Sequence, residues 1–233
     1  MVKATRKPLE EIFSMVKGYA RTLLVGCGGC TSVCLAGGQR ETFELADDLE
    51  QAARAARVPH HYTCFTVERQ CNMEFLEEIG DKVKNCDCIL SLACGAGAGY
   101  MADAYPTIPV FPALDTVFVG VDRDVGLYEE RCRSCGQCQL ALTGGICPVT
   151  RCSKGVLNGP CGGTQEDGTC ELGDGIRCAW HDIYDRLKAQ GRLSNILVVR
   201  PPMDWMEHGQ RTLVQRGYES RYPRQKKGEG EPK

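Results

Sequence analysis

Cysteine dominates the chemistry written in this chain. The stretch CGGCTSVCLAGG, residues 27–38, sets Cys27, Cys30 and Cys34 among glycines at the end of the apolar run TLLVG. A dinucleotide-binding fingerprint needs G-x-G-x-x-G, so that backbone can approach a pyrophosphate at a helix N-terminus. Gly26 and Gly28 fit, but the third position holds Thr31. A thioredoxin-like dithiol would use Cys27 and Cys30 and leave Cys34 without a role. An iron–sulfur site uses all three thiolates, with Gly28 and Gly29 letting backbone N–H groups approach the sulfurs. A zinc site accepts the same thiolates.

The second concentration is stronger. Cys132-x2-Cys135-x2-Cys138, followed by Cys147-Pro148, resembles the bacterial ferredoxin run, with eight residues before Cys147 where a ferredoxin has about three. With Cys152, Cys161, Cys170 and Cys178 it makes eight cysteines, the count for two [4Fe–4S] clusters. The expected sets are Cys132, Cys135, Cys138 and Cys178 for one, and Cys147, Cys152, Cys161 and Cys170 for the other. One cluster plus one zinc fits the same count, because both accept four thiolates. The whole chain would hold two or three clusters, with zinc at one site as the open alternative. His181 follows Cys178 closely, and a surface or core histidine is the commoner role for it.

These residues need elements to position them. Leu9, Ile12, Phe13, Val16 and Ala20 follow helical spacing, as do Phe43, Ala46, Leu49, Ala53 and Ala56, and EFLEEIGDKVK reads as a third helix. TLLVG, HYTCFTV, CDCILSLAC and PVFPALDTVFVGV read as strands. The alternation predicts an α/β fold: a flavodoxin- or Rossmann-like parallel sheet with helices over residues 1–126. A small cysteine-rich, ferredoxin-like metal-cluster domain over 127–205 and a polar tail over 206–233 follow. The second domain has few large apolar residues, so bound metal is expected to replace the core it lacks. In a parallel sheet the strand C-termini share one edge, so Cys94 is the expected fourth ligand of the first site, with Cys64 and Cys71 in reserve. Cys86 and Cys88, at the opposite edge, read as buried small apolar residues.

Composition narrows the function classes. Sixteen cysteines in 233 residues, after an N-terminus without a signal-like apolar run, place the chain in a reducing cytoplasm as thiolate ligands rather than disulfides. No apolar run approaches the roughly 20 residues of a membrane span. A net charge of −2 gives no field favouring nucleic acid. No Ser-His-Asp set, paired-carboxylate motif or phosphate loop appears, so no catalytic residue is assigned.

The run CPVTRCSKGVLNGPCGGTQEDGTCELGDGIRCAWHDIYDRL, with its NGPCGG motif, resembles the cysteine-rich domain associated with methylenetetrahydrofolate reductases. VGCGGCTSVCLAGG, LACGAG and VFPALDT resemble the preceding segment in the small subunit of the acetogen-type, two-subunit enzyme. The resemblance implies an iron–sulfur- and zinc-binding subunit that partners a flavin-containing TIM-barrel reductase subunit. A barrel typically takes about 250 residues, so the flavin is expected on the partner rather than here. Electrons would reach the clusters from a ferredoxin or an electron-donor subunit and pass to the flavin, which reduces methylenetetrahydrofolate to methyltetrahydrofolate. A zinc-stabilised interaction subunit without electron transfer is the alternative. The PPMDW segment and the tail would dock on the partner or stay loosely packed.

Overall fold

The computed structural model describes residues 1–173, 175–204 and 212–222, so Trp205 of PPMDW and most of the expected tail lie outside the described residues. β1 (Val2–Arg6) leads into α1 (Leu9–Val16), which turns Ile12 and Val16 inward and ends before Ala20, an exposed residue past Gly18. β2 (Arg21–Cys27) grows from TLLVG and is buried at every residue after Arg21, as a strand covered on both faces must be. α2 (Cys30–Val33), α3 (Gln39–Ala56) and β3 (His61–Val67) follow. On α3 the buried positions are Thr42, Leu45, Ala46, Leu49 and Ala53. Phe43, expected inside, is 52% exposed, because Thr42 takes the inward place and donates its hydroxyl to the Gly38 carbonyl.

The expected third helix is two short ones, α4 (Met73–Glu77) and α5 (Gly80–Val83), with Gly80 at the break, where its backbone freedom weakens a continuous helix. β4 (Cys88–Leu92), α6 (Gly95–Ala104) and β5 (Val110–Pro112) complete a four-stranded parallel sheet in the order β3-β2-β4-β5. Counted along the chain this is the flavodoxin-like order, and the winding reverses between β2 and β4. One face packs Leu24, Leu90 and Leu92 against Ile12, Leu45 and Leu49. The other packs Leu23, Val25 and Ile89 against Leu76, Ile79 and Met101. Each such side chain contributes roughly 1.5–3 kcal/mol by leaving water.

PVFPALDTVFVGV, expected as one strand, divides at Ala113. Pro112 has no N–H to continue a ladder, and β6 (Leu114–Asp124) runs antiparallel between β1 and β7 (Leu127–Cys132) in a second, three-stranded sheet. The boundary expected at 126/127 falls in the turn joining β6 to β7. Beyond β7 come α7 (Pro148–Arg151), a long turn-rich segment, α8 (Ala179–Ala189) and a 3-10 turn at Leu193–Leu197. This region does have a core. Trp180, Ile183 and Leu187 recur at helical spacing on α8 and bury with Ile146 and Cys178. Among the described residues no helix is long and apolar enough to cross a membrane.

β2 and β4 are clamped at their starting ends. Asp87 accepts from the Arg21 backbone N–H at 2.9 Å and from Arg21 Nη2 at 2.6 Å. The Arg21 hydrogen bonds hold the Asp87 carboxyl below its ordinary range. A depressed carboxyl pKa stabilises the fold above the unfolded value of about 3.9, and that contribution is lost as pH falls through the folded value. Asp87→Asn is therefore expected to lower Tm at neutral pH, with the gap to the parent closing as pH falls through the depressed folded-state value. Equal melting at neutral pH would show that the clamp contributes nothing.

Candidate metal centres

All sixteen cysteines are free thiols. Those of the first site gather at the C-terminal edge of the parallel sheet. Gly26 lies opposite Leu92, so Cys27 and Cys94 follow the same ends of two neighbouring strands. The loop after Cys27 folds back on it: the Cys27 N–H donates to the Gly37 carbonyl at 2.8 Å. Gly37 lies so close to β4 that a Cβ there would sit 2.0 Å from the Leu92 carbonyl oxygen. Thr31, the residue that breaks the dinucleotide fingerprint, is buried and donates to the carbonyls of Cys27 and Leu92. It ties β2 to β4 where a phosphate loop would need glycine. Cys30 begins α2, Cys94 caps α6, and exposed Cys71 lies in the loop after β3. Cys34 is 2% exposed in the core against β1, and half-buried Cys64 lies within β3, its thiol pushed up to about 11 by burial. Cys86 and Cys88 are buried, as expected, and burial raises Cys88 to about 11.

In the C-terminal region Cys152, Cys161, Cys170 and Cys178 line one small cavity of about 10 Å³, beside Arg151, Lys154, Arg177 and Trp180. The expected sets place Cys178 with the Cys132 triplet and Cys147 with Cys152, Cys161 and Cys170; here Cys178 lines the cavity with those three, and Cys147 caps α7. Cys178 caps α8. Burial pushes its thiol up, but hydrogen bonds from the Thr164 hydroxyl, at 3.0 Å, and from the His181 and Trp180 N–H groups bring it below its ordinary value. Lys154 Nζ stands 3.9 Å from Cys161 Sγ and pairs with Glu171, while Arg151 and Arg177 both reach Asp182. Cationic side chains around thiols favour the thiolate, the form that binds metal. His181 pairs with Asp185 at 3.3 Å on the surface of α8. Four cysteines on one cavity wall are the donor set of both zinc and iron–sulfur sites, and could hold either. As the side chains stand, no three His, Cys, Asp or Glu groups among the described residues converge on a single ion.

The NGPCGG motif builds this wall. Asn158 accepts from the Arg200 N–H at 2.7 Å and donates to the Arg200 carbonyl at 2.8 Å, closing residues 158–200 as a strand neighbour would. Gly159 passes under Trp180, whose indole N–H donates to the Val156 carbonyl. Gly163 lies against the Glu171 carboxylate, and Gly162 adopts a positive φ of 84°. Residues 111–206 match the family model described as methylene-tetrahydrofolate reductase C terminal. Through that region the chain is related to methylenetetrahydrofolate reductases. The matched region holds all eight C-terminal cysteines and NGPCGG, and lies outside the sheet edge of Cys27, Cys30, Cys71 and Cys94. No curated protein and no solved structure matches the chain.

The residues that sequence reasoning missed are polar supports: Thr31, Thr164 and Lys154, whose partners lie far along the chain or across a turn. At Gly159 a Cβ would sit 2.6 Å from the Trp180 ring. Gly159→Ala is expected to displace the indole and destabilise the fold by about 1–3 kcal/mol. Thermal melts would read this as a lower Tm, and an unchanged Tm with unchanged tryptophan fluorescence would contradict it.

Proposed function

We propose that the chain is an electron-transfer and scaffolding subunit for a flavin-containing, TIM-barrel methylenetetrahydrofolate reductase subunit. The observation that carries this reading is the gathering of Cys152, Cys161, Cys170 and Cys178 around one cavity inside the region matching the reductase C-terminal family. The second set is then Cys132, Cys135, Cys138 and Cys147: α7, which Cys147 caps, packs on β7, which ends at Cys132. Neither sheet among the described residues is an eight-stranded barrel, which supports assigning the flavin to a partner.

Iron–sulfur clusters supply one-electron transfer when bound. The chain's own residues set the conditions for it. The Thr164 hydroxyl donates to the Cys178 sulfur and Lys154 brings positive charge toward Cys161, and both favour the reduced state of whatever these sulfurs hold. Trp180 and the apolar face of α8 shield one side from water, which lowers the local dielectric. In this reading the reduction of methylenetetrahydrofolate to methyltetrahydrofolate belongs to the flavin of the partner.

A second reading rests on the cavity's size. About 10 Å³ is the scale of one water molecule, closer to a single zinc ion than to a four-iron cube. It gives a zinc-stabilised interaction subunit without electron transfer. Metal analysis and EPR on anaerobically purified protein separate the two. Electron transfer expects brown protein with about eight irons per chain from the two C-terminal sets and an EPR signal on reduction. Colourless protein with zinc and no iron would contradict it.

A further inference from the structure

We infer, on the reading that this chain serves a flavin-containing reductase subunit, that Leu197, Val198 and Val199 form the strap by which it docks, seated in an apolar groove with an acidic rim on that partner. Large apolar side chains scattered singly over a surface are ordinary, but a consecutive run of them left in water marks a contact surface. Leu197 and Val199 are 79% and 81% exposed, and Val198 between them is exposed as well. Val198 has extended backbone, with φ −75° and ψ 107°, so Leu197 and Val199 project to the same side.

The run is held on both sides. Before it, Leu193 and Ile196 pack against the cluster of Trp180, Ile183 and Leu187, and the Val198 N–H donates to the Asn195 carbonyl at 3.1 Å. Arg192 Nη2 and Asn195 Nδ2 in turn donate to the Ala141 carbonyl, at 2.5 and 3.5 Å. After it, Asn158 holds both backbone groups of Arg200, and Pro201 and Pro202 stiffen the chain that follows. Leu197 and Val199 thus stand in water with an anchor one residue away on either side. A segment ordered before it binds loses little conformational entropy on binding, so the same side chains give a partner more affinity here than on a free tail.

Charge states what the groove must offer. Arg186, Lys188 and Arg192 precede the run and Arg200 follows it, and no Asp or Glu lies between Arg186 and Met203, in a chain whose net charge is −2. An acidic rim complements this segment and fixes the orientation of docking. Position names the partner. The strap falls within residues 111–206, the match to the reductase C-terminal family. Asn158, which clamps it, immediately precedes Gly159 under Trp180 and leads to Cys161 on the cavity wall. A subunit that takes electrons from those sulfurs has to seat beside them, and one seated on the strap stands next to that wall.

The test uses the full chain, prepared anaerobically, and as probe the purified flavin-containing methylenetetrahydrofolate reductase subunit from the same organism, with binding followed by titration calorimetry at low and high salt. The parent should bind, and more weakly as salt rises. Leu197→Asp and Val199→Asp should each weaken binding about tenfold or more, with Tm and metal content unchanged. Lys188→Glu should weaken binding and flatten its salt dependence. Val125→Asp, a change at an exposed valine in the β6–β7 turn, should bind as the parent does. Parent-like binding by both Leu197→Asp and Val199→Asp would overturn the strap and leave the proposed function standing. Binding of the parent to phosphatidylserine vesicles, lost in both variants while they keep the flavin subunit, would overturn it in favour of a membrane surface. A parent that does not bind the flavin subunit would overturn the proposed function and the strap together.

Discussion

The C-terminal half turns on how one sulfur is held. Cys178 is at once a wall of the cysteine cavity, the cap of α8 and a member of the apolar cluster of Trp180, Ile183 and Leu187. Burial alone would keep its thiol protonated and inert. The Thr164 hydroxyl and the first N–H groups of α8 offset that, so the same residue that packs the core lines the cavity with a thiol held below its ordinary pKa. Packing of α8 and ligation are therefore coupled. Whatever binds the four sulfurs also fixes the helix that Trp180 anchors, and binding free energy at such a site becomes folding free energy.

The N-terminal half reaches a comparable end by another route. A parallel sheet whose two central strands are buried beyond Arg21 delivers its C-terminal edge as a rigid line. Buried polar side chains, Thr31 and Gln70, tie β2 to β4 there with hydrogen bonds to strand carbonyls. Such buried groups are costly unless satisfied, and here every one of those bonds orders a loop that carries cysteine. The two halves meet in the β6–β7 hairpin, whose last residue, Cys132, opens the cysteine-rich region. The antiparallel sheet thus passes directly from the N-terminal strand β1 to the C-terminal sulfurs.

The parallel sheet was readable because its strands are continuous apolar runs and its long helix keeps one face. The strand break at Pro112 was written in the sequence, but the apolar residues on either side hid it. β1 and β7 escaped because they are short, half-exposed and rich in charged residues, so neither period stands out. For the site, cysteine spacing identified the residues and not their partners. Cys34 sits four residues past the helical start at Cys30, and no spacing rule says that the chain turns it to the opposite face. Likewise spacing does not show that Cys178 lines a cavity with Cys152, Cys161 and Cys170, because the turns between them, held by Asn158 and Gly159, are fixed by long-range contacts.

The central claim is that Cys152, Cys161, Cys170 and Cys178 enclose one metal centre. Crystals of anaerobically prepared protein, with anomalous differences collected at the iron and zinc absorption edges, test it most directly. The account expects an anomalous peak bounded by those four sulfurs and by Trp180, strong at the iron edge. A peak that joins Cys178 to Cys132, Cys135 and Cys138, or no metal between the four sulfurs, would contradict it.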